Sequence, residues 1–172
     1  MRTGLLVVGM WLGVAAGGWA QGPPAAPVNV DADGVTLHGY DAVAYFTDGK
    51  AVPGSPVHEY VWQGARWRFA STAHKDAFAA APERYAPQFG GYCAWAVSRN
   101  YVADIDPEAF AVVDGRLYVN YSRLVQARWR LDRDANIAKG ATHWPGLLEQ
   151  ARAMTAAPGS AAGRPAGKKG GR

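Results

Sequence analysis

Short segments of this chain are rich in β-forming residues or, as in residues 66–70, alternate apolar with charged residues, and they fall into two pairs, each joined by a turn that contains glycine. The segments are residues 57–62 with 66–70, and residues 109–113 with 116–121. Such alternation is typical of β-strands that bury one face, which in the first pair carries Trp67 and Phe69. The second turn contains Asp114 and Gly115, a combination that suits a two-residue turn with positive φ. We therefore expect two antiparallel hairpins.

Other segments follow the helical period instead. Residues 73–81 repeat apolar side chains at helical spacing, and Pro82 is expected to end that helix. Residues 122–139 carry a longer apolar stripe, and Gly140 is expected to end it. Because strand pairs and helices are segregated along the chain, the predicted class is α+β: a small single domain of antiparallel β-hairpins packed against short helices and one longer C-terminal helix.

The beginning of the chain differs in composition from the rest. Residues 4–16 are an apolar run, and the small residues Gly18 and Ala20 fit the cleavage rule of signal peptidase. This pattern predicts a Sec-type signal peptide over residues 1–20, cleaved near Ala20, and hence a periplasmic or secreted protein. The apolar run is shorter than the ~20 residues of a membrane-spanning helix, so we expect no transmembrane span after cleavage.

Composition also divides the remaining chain. Residues 21–29 are predicted to be a linker, residues 30–150 a folded domain, and residues 151–172, rich in Ala, Gly, Pro and basic residues, a disordered basic tail. The formal net charge of +4 arises from basic residues in the signal peptide and the tail, so charge gives no reason to expect nucleic-acid binding. The single cysteine excludes an intramolecular disulfide.

Several short motifs give the middle of the chain a family resemblance. They are Gly-Tyr-Asp-Ala-Val-Ala-Tyr-Phe at residues 39–46, Phe-x-Ser at residues 69–71, Pro-Glu-Arg-Tyr-Ala-Pro at residues 82–87 and Gly-Gly-Tyr-Cys-Ala at residues 90–94. With these motifs, residues 35–147 resemble the YHS domain family, and in particular its exported branch of YHS domain-containing (seleno)proteins. The resemblance implies redox or metal chemistry at a thiol position.

Other branches of the YHS family read Phe-Cys-Ser-x-x-Cys where the strand meets the helix, which looks like a metal-binding pair. Ala70 and His74 hold those two positions in this chain. Soft transition metals such as copper and zinc bind thiolate and imidazole groups, and Cys93 is the only cysteine. We therefore predict Cys93 and His74 as the ligands of any metal that the domain binds.

Cys93 and His74 each have a second interpretation. A free cysteine is commonly a small buried hydrophobe, whereas the preceding Gly90 and Gly91 permit close approach of a ligand and favour a reactive thiol. His74 shares a helix face with Phe78, which is also typical of an imidazole half covered by the edge of the core. The sequence leaves these alternatives open.

Four further residues are secondary candidates: His38, Tyr40, Asp41 and His58. His38 and Asp41 are close enough in sequence for an imidazole–carboxylate pair, although turn hydrogen bonds explain them equally well. Tyr40 and Asp41 offer a route for proton transfer, but a core aromatic and a helix cap are the simpler account. His58 shares a strand face with Tyr60, where ring stacking explains its presence.

The sequence lacks the short motifs of autonomous enzymes, such as Gly-x-Ser-x-Gly, Cys-x-x-Cys, His-Glu-x-x-His or a phosphate-binding glycine loop. Catalysis is therefore not the favoured class of function. The leading hypothesis is an exported YHS-type binding module that engages a transition-metal ion or a thiol-reactive species through Cys93. The alternatives are a metal-free interaction or structural domain that docks a protein partner, and a thiol-dependent redox enzyme.

Overall fold

A computed structural model describes residues 27–156 of the chain, and these residues form an α+β domain, as the sequence predicted. The helices are α1 (Ala44–Thr47), α2 (Thr72–Ala80), α3 (Pro82–Tyr85), α4 (Ala94–Ser98), α5 (Arg123–Leu131) and α6 (Arg133–Ala156). The strands are β1 (Ser55–Trp62), β2 (Ala65–Phe69), β3 (Asp106–Val113) and β4 (Arg116–Asn120). The predicted signal peptide, residues 21–26 of the predicted linker and residues 157–172 of the predicted tail lie outside the described residues.

Both predicted hairpins form, each as a separate two-stranded antiparallel sheet. The turn residues are Gln63 and Gly64 between β1 and β2, and Asp114 and Gly115 between β3 and β4. All of them have positive φ, as two-residue hairpin turns require. Each turn therefore fixes the register of the pairs next to it, and the register shifts farther away, between Ser55 and Glu59 in β1 and between Asp106 and Phe110 in β3.

Aromatic side chains fill the core between the first hairpin and α2. Phe78 of α2 is fully buried, and its ring centroid lies 4.7 Å from that of Trp67 and 5.1 Å from that of Phe69. Trp67 and Phe69 are themselves buried, whereas Arg66 and Arg68 lie on the opposite face of β2 and are less buried. The predicted faces of this strand are thus confirmed.

The ends of α2 also follow from local sequence. The Ser71 hydroxyl accepts a hydrogen bond from the His74 amide (3.1 Å) and thereby caps the first turn. The helix ends at Ala80, and Pro82 opens α3, where its missing amide hydrogen costs no hydrogen bond. A sharp change of direction between α2 and α3 results.

The second hairpin lies between the main core and the C-terminal helices. Leu117 and Val119 of β4 are fully buried in the main core. Tyr118 lies on the opposite face of the strand and packs on Trp129 of α5, with ring centroids 5.4 Å apart. Both faces of β4 are therefore covered.

The C-terminal helical region differs from the sequence prediction. The chain forms two helices, α5 and α6, separated by Asp132 with φ −139° and ψ 51°. Because α6 continues through Gly140 and Pro145 to Ala156, the predicted helix end at Gly140 is wrong. A Cβ atom at residue 140 would lie 2.7 Å from the ring of Phe89, so glycine allows the helix to pack closely against that ring.

Both ends of the described chain are attached to the turn that precedes α4. At the C-terminal end, α6 extends past residue 150, and its fully buried Ala151 accepts a hydrogen bond from the Tyr92 hydroxyl (3.0 Å). At the other end, the Asn29 amide donates to the Gly90 carbonyl (2.8 Å).

Within residues 27–156, none of the helices has the length and apolar character needed to cross a membrane.

Candidate functional site

The side chain of Asp41 is completely buried, and both of its oxygens accept hydrogen bonds. Oδ1 accepts from the amides of Val43 (2.8 Å) and Ala44 (3.2 Å) at the start of α1. Oδ2 accepts from the amide of Ala70 (2.8 Å), just after β2, and from Nδ1 of His74 (2.7 Å) in α2. A buried carboxylate is costly unless it is paired and hydrogen-bonded. Asp41 therefore joins α1 to the corner between β2 and α2.

The contact with Asp41 fixes the orientation of the His74 ring. An ionised carboxylate has acceptors only, so Nδ1 of His74 carries the hydrogen and donates it, and the lone pair of the neutral ring is on Nε2. The His74 side chain is 23% exposed. Since Ser71 holds the backbone at the same residue, this corner presents one imidazole with a defined tautomer and direction.

A carboxylate–imidazole pair has a limited set of chemical uses. Nε2 can accept a hydrogen bond, take up a proton or bind a metal. Covalent catalysis would also need a nucleophile activated by the imidazole. The neighbouring Ser71 hydroxyl instead accepts a hydrogen bond from the backbone amide of His74.

His58 and Tyr40, two of the secondary candidates, make other contacts. Nδ1 of His58 lies 3.3 Å from the hydroxyl of Thr72, the first residue of α2. Tyr40 is half-buried, packs against the main core and forms an isolated antiparallel bridge with Pro53. These contacts agree with the simpler account of Tyr40 as a core aromatic.

His38 pairs with the carboxylate of Asp104. Its Nε2 lies 2.9 Å from Oδ1 of Asp104, which also accepts from Nδ2 of Asn29 (3.0 Å). Of the two interpretations left open by the sequence, a pair of His38 with Asp41 does not form, because His38 lies in a left-handed turn with Gly39 (φ 51° and 82°) while the Asp41 oxygens are engaged inside the domain. Burial acts to raise the pKa of Asp104, but the hydrogen bonds from His38 and Asn29 outweigh it and lower the pKa.

Cys93 is buried in the main core, with 1% of its surface exposed. Its Sγ accepts a hydrogen bond from the Tyr121 amide (3.2 Å), and burial raises the pKa of the thiol. A Cβ atom at Gly90 would lie 2.2 Å from the carbonyl oxygen of Pro27. The close approach that this glycine permits is therefore made by the chain's own N-terminal segment, which favours the interpretation of Cys93 as a small buried hydrophobe.

The family relationship rests on the first half of the domain. Residues 43–89 match the family model of the YHS domain. The chain contains a YHS domain. The match begins just before α1 and covers His74, while Asp41 and Cys93 lie outside it. No curated protein and no solved structure matches the chain.

The YHS family is linked to metal binding, and a metal ion needs several donor side chains close together. Ala70 supplies no ligand at the corner, and His74 and Cys93 have separate hydrogen-bond partners. Among residues 27–156, no group of three or more His, Cys, Asp or Glu side chains is arranged to hold a metal ion. The described residues therefore do not fit a self-contained metal centre, and Cys93 with His74 as a ligand pair stays a prediction.

Sequence reasoning named both Asp41 and His74 but did not pair them. The two residues are separated by 33 positions, and each belongs to a motif with its own local explanation. Asn29 and Asp104 were not singled out at all, because single polar residues in loops carry no periodic signal. Their contact depends on the packing of the N-terminal segment against the turn before α4.

Proposed function

We propose that the protein is an exported YHS-type binding module in which the imidazole of His74 is the group that contacts the ligand. The observation that supports this proposal is the 2.7 Å hydrogen bond between Nδ1 of His74 and the fully buried Oδ2 of Asp41. It gives the partly exposed imidazole a fixed tautomer, in which the lone pair is on Nε2.

A single imidazole leaves most coordination positions of a metal open. A copper or zinc ion would therefore need further donors from a small ligand or a partner protein, because zinc usually takes four ligands. Cys93 has a structural role in this proposal, since its thiol accepts the Tyr121 amide inside the core. The proposal thus differs from the sequence hypothesis in which ligand binding depends on the thiol.

The proposal is tested by titrating the protein with zinc or with cuprous ion while the nitrogen resonances of each histidine are followed by NMR. The variants are His74→Ala, Cys93→Ala and, as a matched histidine control, His143→Ala. In the parent protein, Nδ1 of His143 on α6 lies 3.1 Å from the Val97 carbonyl oxygen. We expect the first metal ion that binds to shift the Nε2 resonance of His74. Of the three variants, only His74→Ala should lose this first binding step. Unchanged binding by His74→Ala, or loss of binding in a folded Cys93→Ala, would contradict the proposal.

Export is proposed from the apolar run and small residues of the first 20 positions. Expression of the whole chain in a bacterial host should yield a periplasmic product that begins near Gln21. The measurement is the intact mass of the protein released from the periplasm. Recovery of the chain only in the cytoplasm, with Met1 or Arg2 as its first residue, would contradict it.

A metal-free interaction domain is the second candidate function. It is favoured by large apolar side chains that stay exposed in the described fold. On α5, Leu124 and Leu131 are 65% and 87% exposed and lie seven residues apart, hence on one face of the helix. Exposed apolar residues on one face are typical of surfaces that contact other proteins.

A further inference from the structure

The outer edge of β3 contains a residue whose backbone groups face away from the hairpin. Because the two residues that flank a two-residue turn form a hydrogen-bonded pair, and pairs then alternate, Val112 and Phe110 belong to non-hydrogen-bonded pairs. Their N–H and C=O groups therefore point to the open edge. The Phe110 carbonyl is occupied there by Gln126 and by Arg130 (3.3 Å). No described residue occupies the corresponding groups of Val112.

A groove of about 560 Å³ runs along this edge. Its walls are β3 residues 111–113 and residues 129–134 at the junction of α5 and α6. Trp129 lines the groove, and its buried indole N–H has no acceptor among the residues that the structure describes. Since a buried donor without an acceptor destabilises a fold, a ligand would be favoured if its carbonyl oxygen met this N–H after a movement of the ring opened it to the groove.

The groove carries charges of both signs that offset one another. Arg133 is paired with Asp134 at 2.7 Å, and Arg130 and Asp132 contribute one charge of each sign. Leu131 on the same wall is 87% exposed. An uncharged ligand with apolar side chains matches these properties better than an anion or a cation does.

We propose that this groove binds an extended, uncharged segment of a partner polypeptide, which adds to the sheet as a third strand beside Val112. An extended backbone supplies the carbonyl and amide groups that complement the open edge, and its side chains cover Leu131. The proposal deepens the second candidate function, the interaction domain, and does not depend on the His74 corner.

The test uses a blocked peptide, acetyl-Thr-Val-Thr-Val-Thr-amide, added to the isotopically labelled protein. We expect the backbone amide of Val112 and the indole N–H of Trp129 to shift together during the titration. Two control peptides, N-methylated at the threonines or at the valines, lack the amides on one side or the other. At least one of them should bind about 10-fold more weakly, because strand pairing needs those donors.

Proline substitution separates the open edge from the rest of the hairpin. Val112→Pro removes an N–H that points outward and leaves the bonds between β3 and β4 in place, so the variant should fold and bind the peptide about 10-fold more weakly. Val61→Pro is the matched control, because Val61 pairs with Arg66 at the equivalent position of β1. It should leave the peptide affinity unchanged.

Four results would overturn the proposal. The first three are no shifts at about 1 mM peptide, equal binding of all N-methylated peptides, and shifts that map to β1, which would place an interaction function on the other hairpin. The fourth is concentration-dependent dimerisation that broadens Val112 without any peptide, which would assign the edge to a second copy. None of these outcomes bears on the metal titration of His74, so the two proposals fail separately.

Discussion

Replacement of Asp41 by alanine should be among the most damaging single changes in this domain. Its Oδ1 accepts hydrogen bonds from the amides of Val43 and Ala44, which are buried, so both N–H groups would lose their acceptor. Each such loss costs about 1–3 kcal/mol, so the two together cost about 2–6 kcal/mol. We therefore expect Asp41→Ala to lower the free energy of unfolding by about 2–6 kcal/mol.

Two controls define what the measurement means. His74→Ala removes only one of the four hydrogen bonds, so it should cost about 1.5–3 kcal/mol, the usual value for a bond to a charged group. Asp48→Ala removes an aspartate whose carboxylate is bonded to Thr47 on the exposed surface, and it should cost less than about 0.5 kcal/mol. Urea denaturation of the three variants and the parent protein gives these differences directly. A loss below about 1 kcal/mol for Asp41→Ala would refute the view that this carboxylate joins α1 to the β2–α2 corner.

Three further predictions concern other parts of the fold. Gly90→Ala should lower the free energy of unfolding in urea by about 2–4 kcal/mol, because φ is +60° and the new Cβ meets a carbonyl oxygen. Gly115→Ala is the control: φ is +71°, but nothing lies within 4 Å of the new Cβ, so it should cost only about 1–2 kcal/mol. Equal losses would contradict the packing argument. Cys93 should react with a disulfide reagent about 100-fold more slowly in the native protein than in urea, and rapid native reaction would show that the thiol is accessible. The lowered pKa of Asp104 means that its stabilising contribution is present above the unfolded value of about 3.9 and is lost as pH falls through the folded value. Asp104→Asn or His38→Ala should therefore flatten the dependence of stability on pH in that acid range, whereas an unchanged curve would show that the pair contributes nothing.

The corner between β2 and α2 shows which features depend on local sequence. Ser71 as the cap of α2 and the burial of Trp67 and Phe69 depend on neighbours within a few residues, and the structure contains all three features. Gly140 misled the prediction because a glycine is a common helix end. Its role in the structure is to admit the ring of Phe89, which comes from a segment about 50 residues earlier.

Cys93 illustrates the same limit at the candidate site. The glycines before it permit a close approach of some group to the backbone, which we interpreted from the sequence as space for a ligand. The identity of that group was not encoded locally, and at Gly90 it is the carbonyl of Pro27. A glycine permits another group to approach the backbone closely, but it has no side chain that determines which group this is.

The sequence by itself determined the hairpins, the start of α2, the α+β class and the YHS relationship, because turn chemistry, alternation and capping act over short distances along the chain. Only the tertiary structure decided which groups meet: Asp41 with His74, His38 with Asp104, and the Cys93 thiol with the Tyr121 amide. These contacts are made by packing between distant segments, and the hydrophobic pattern that drives the packing is insensitive to which polar groups it brings together.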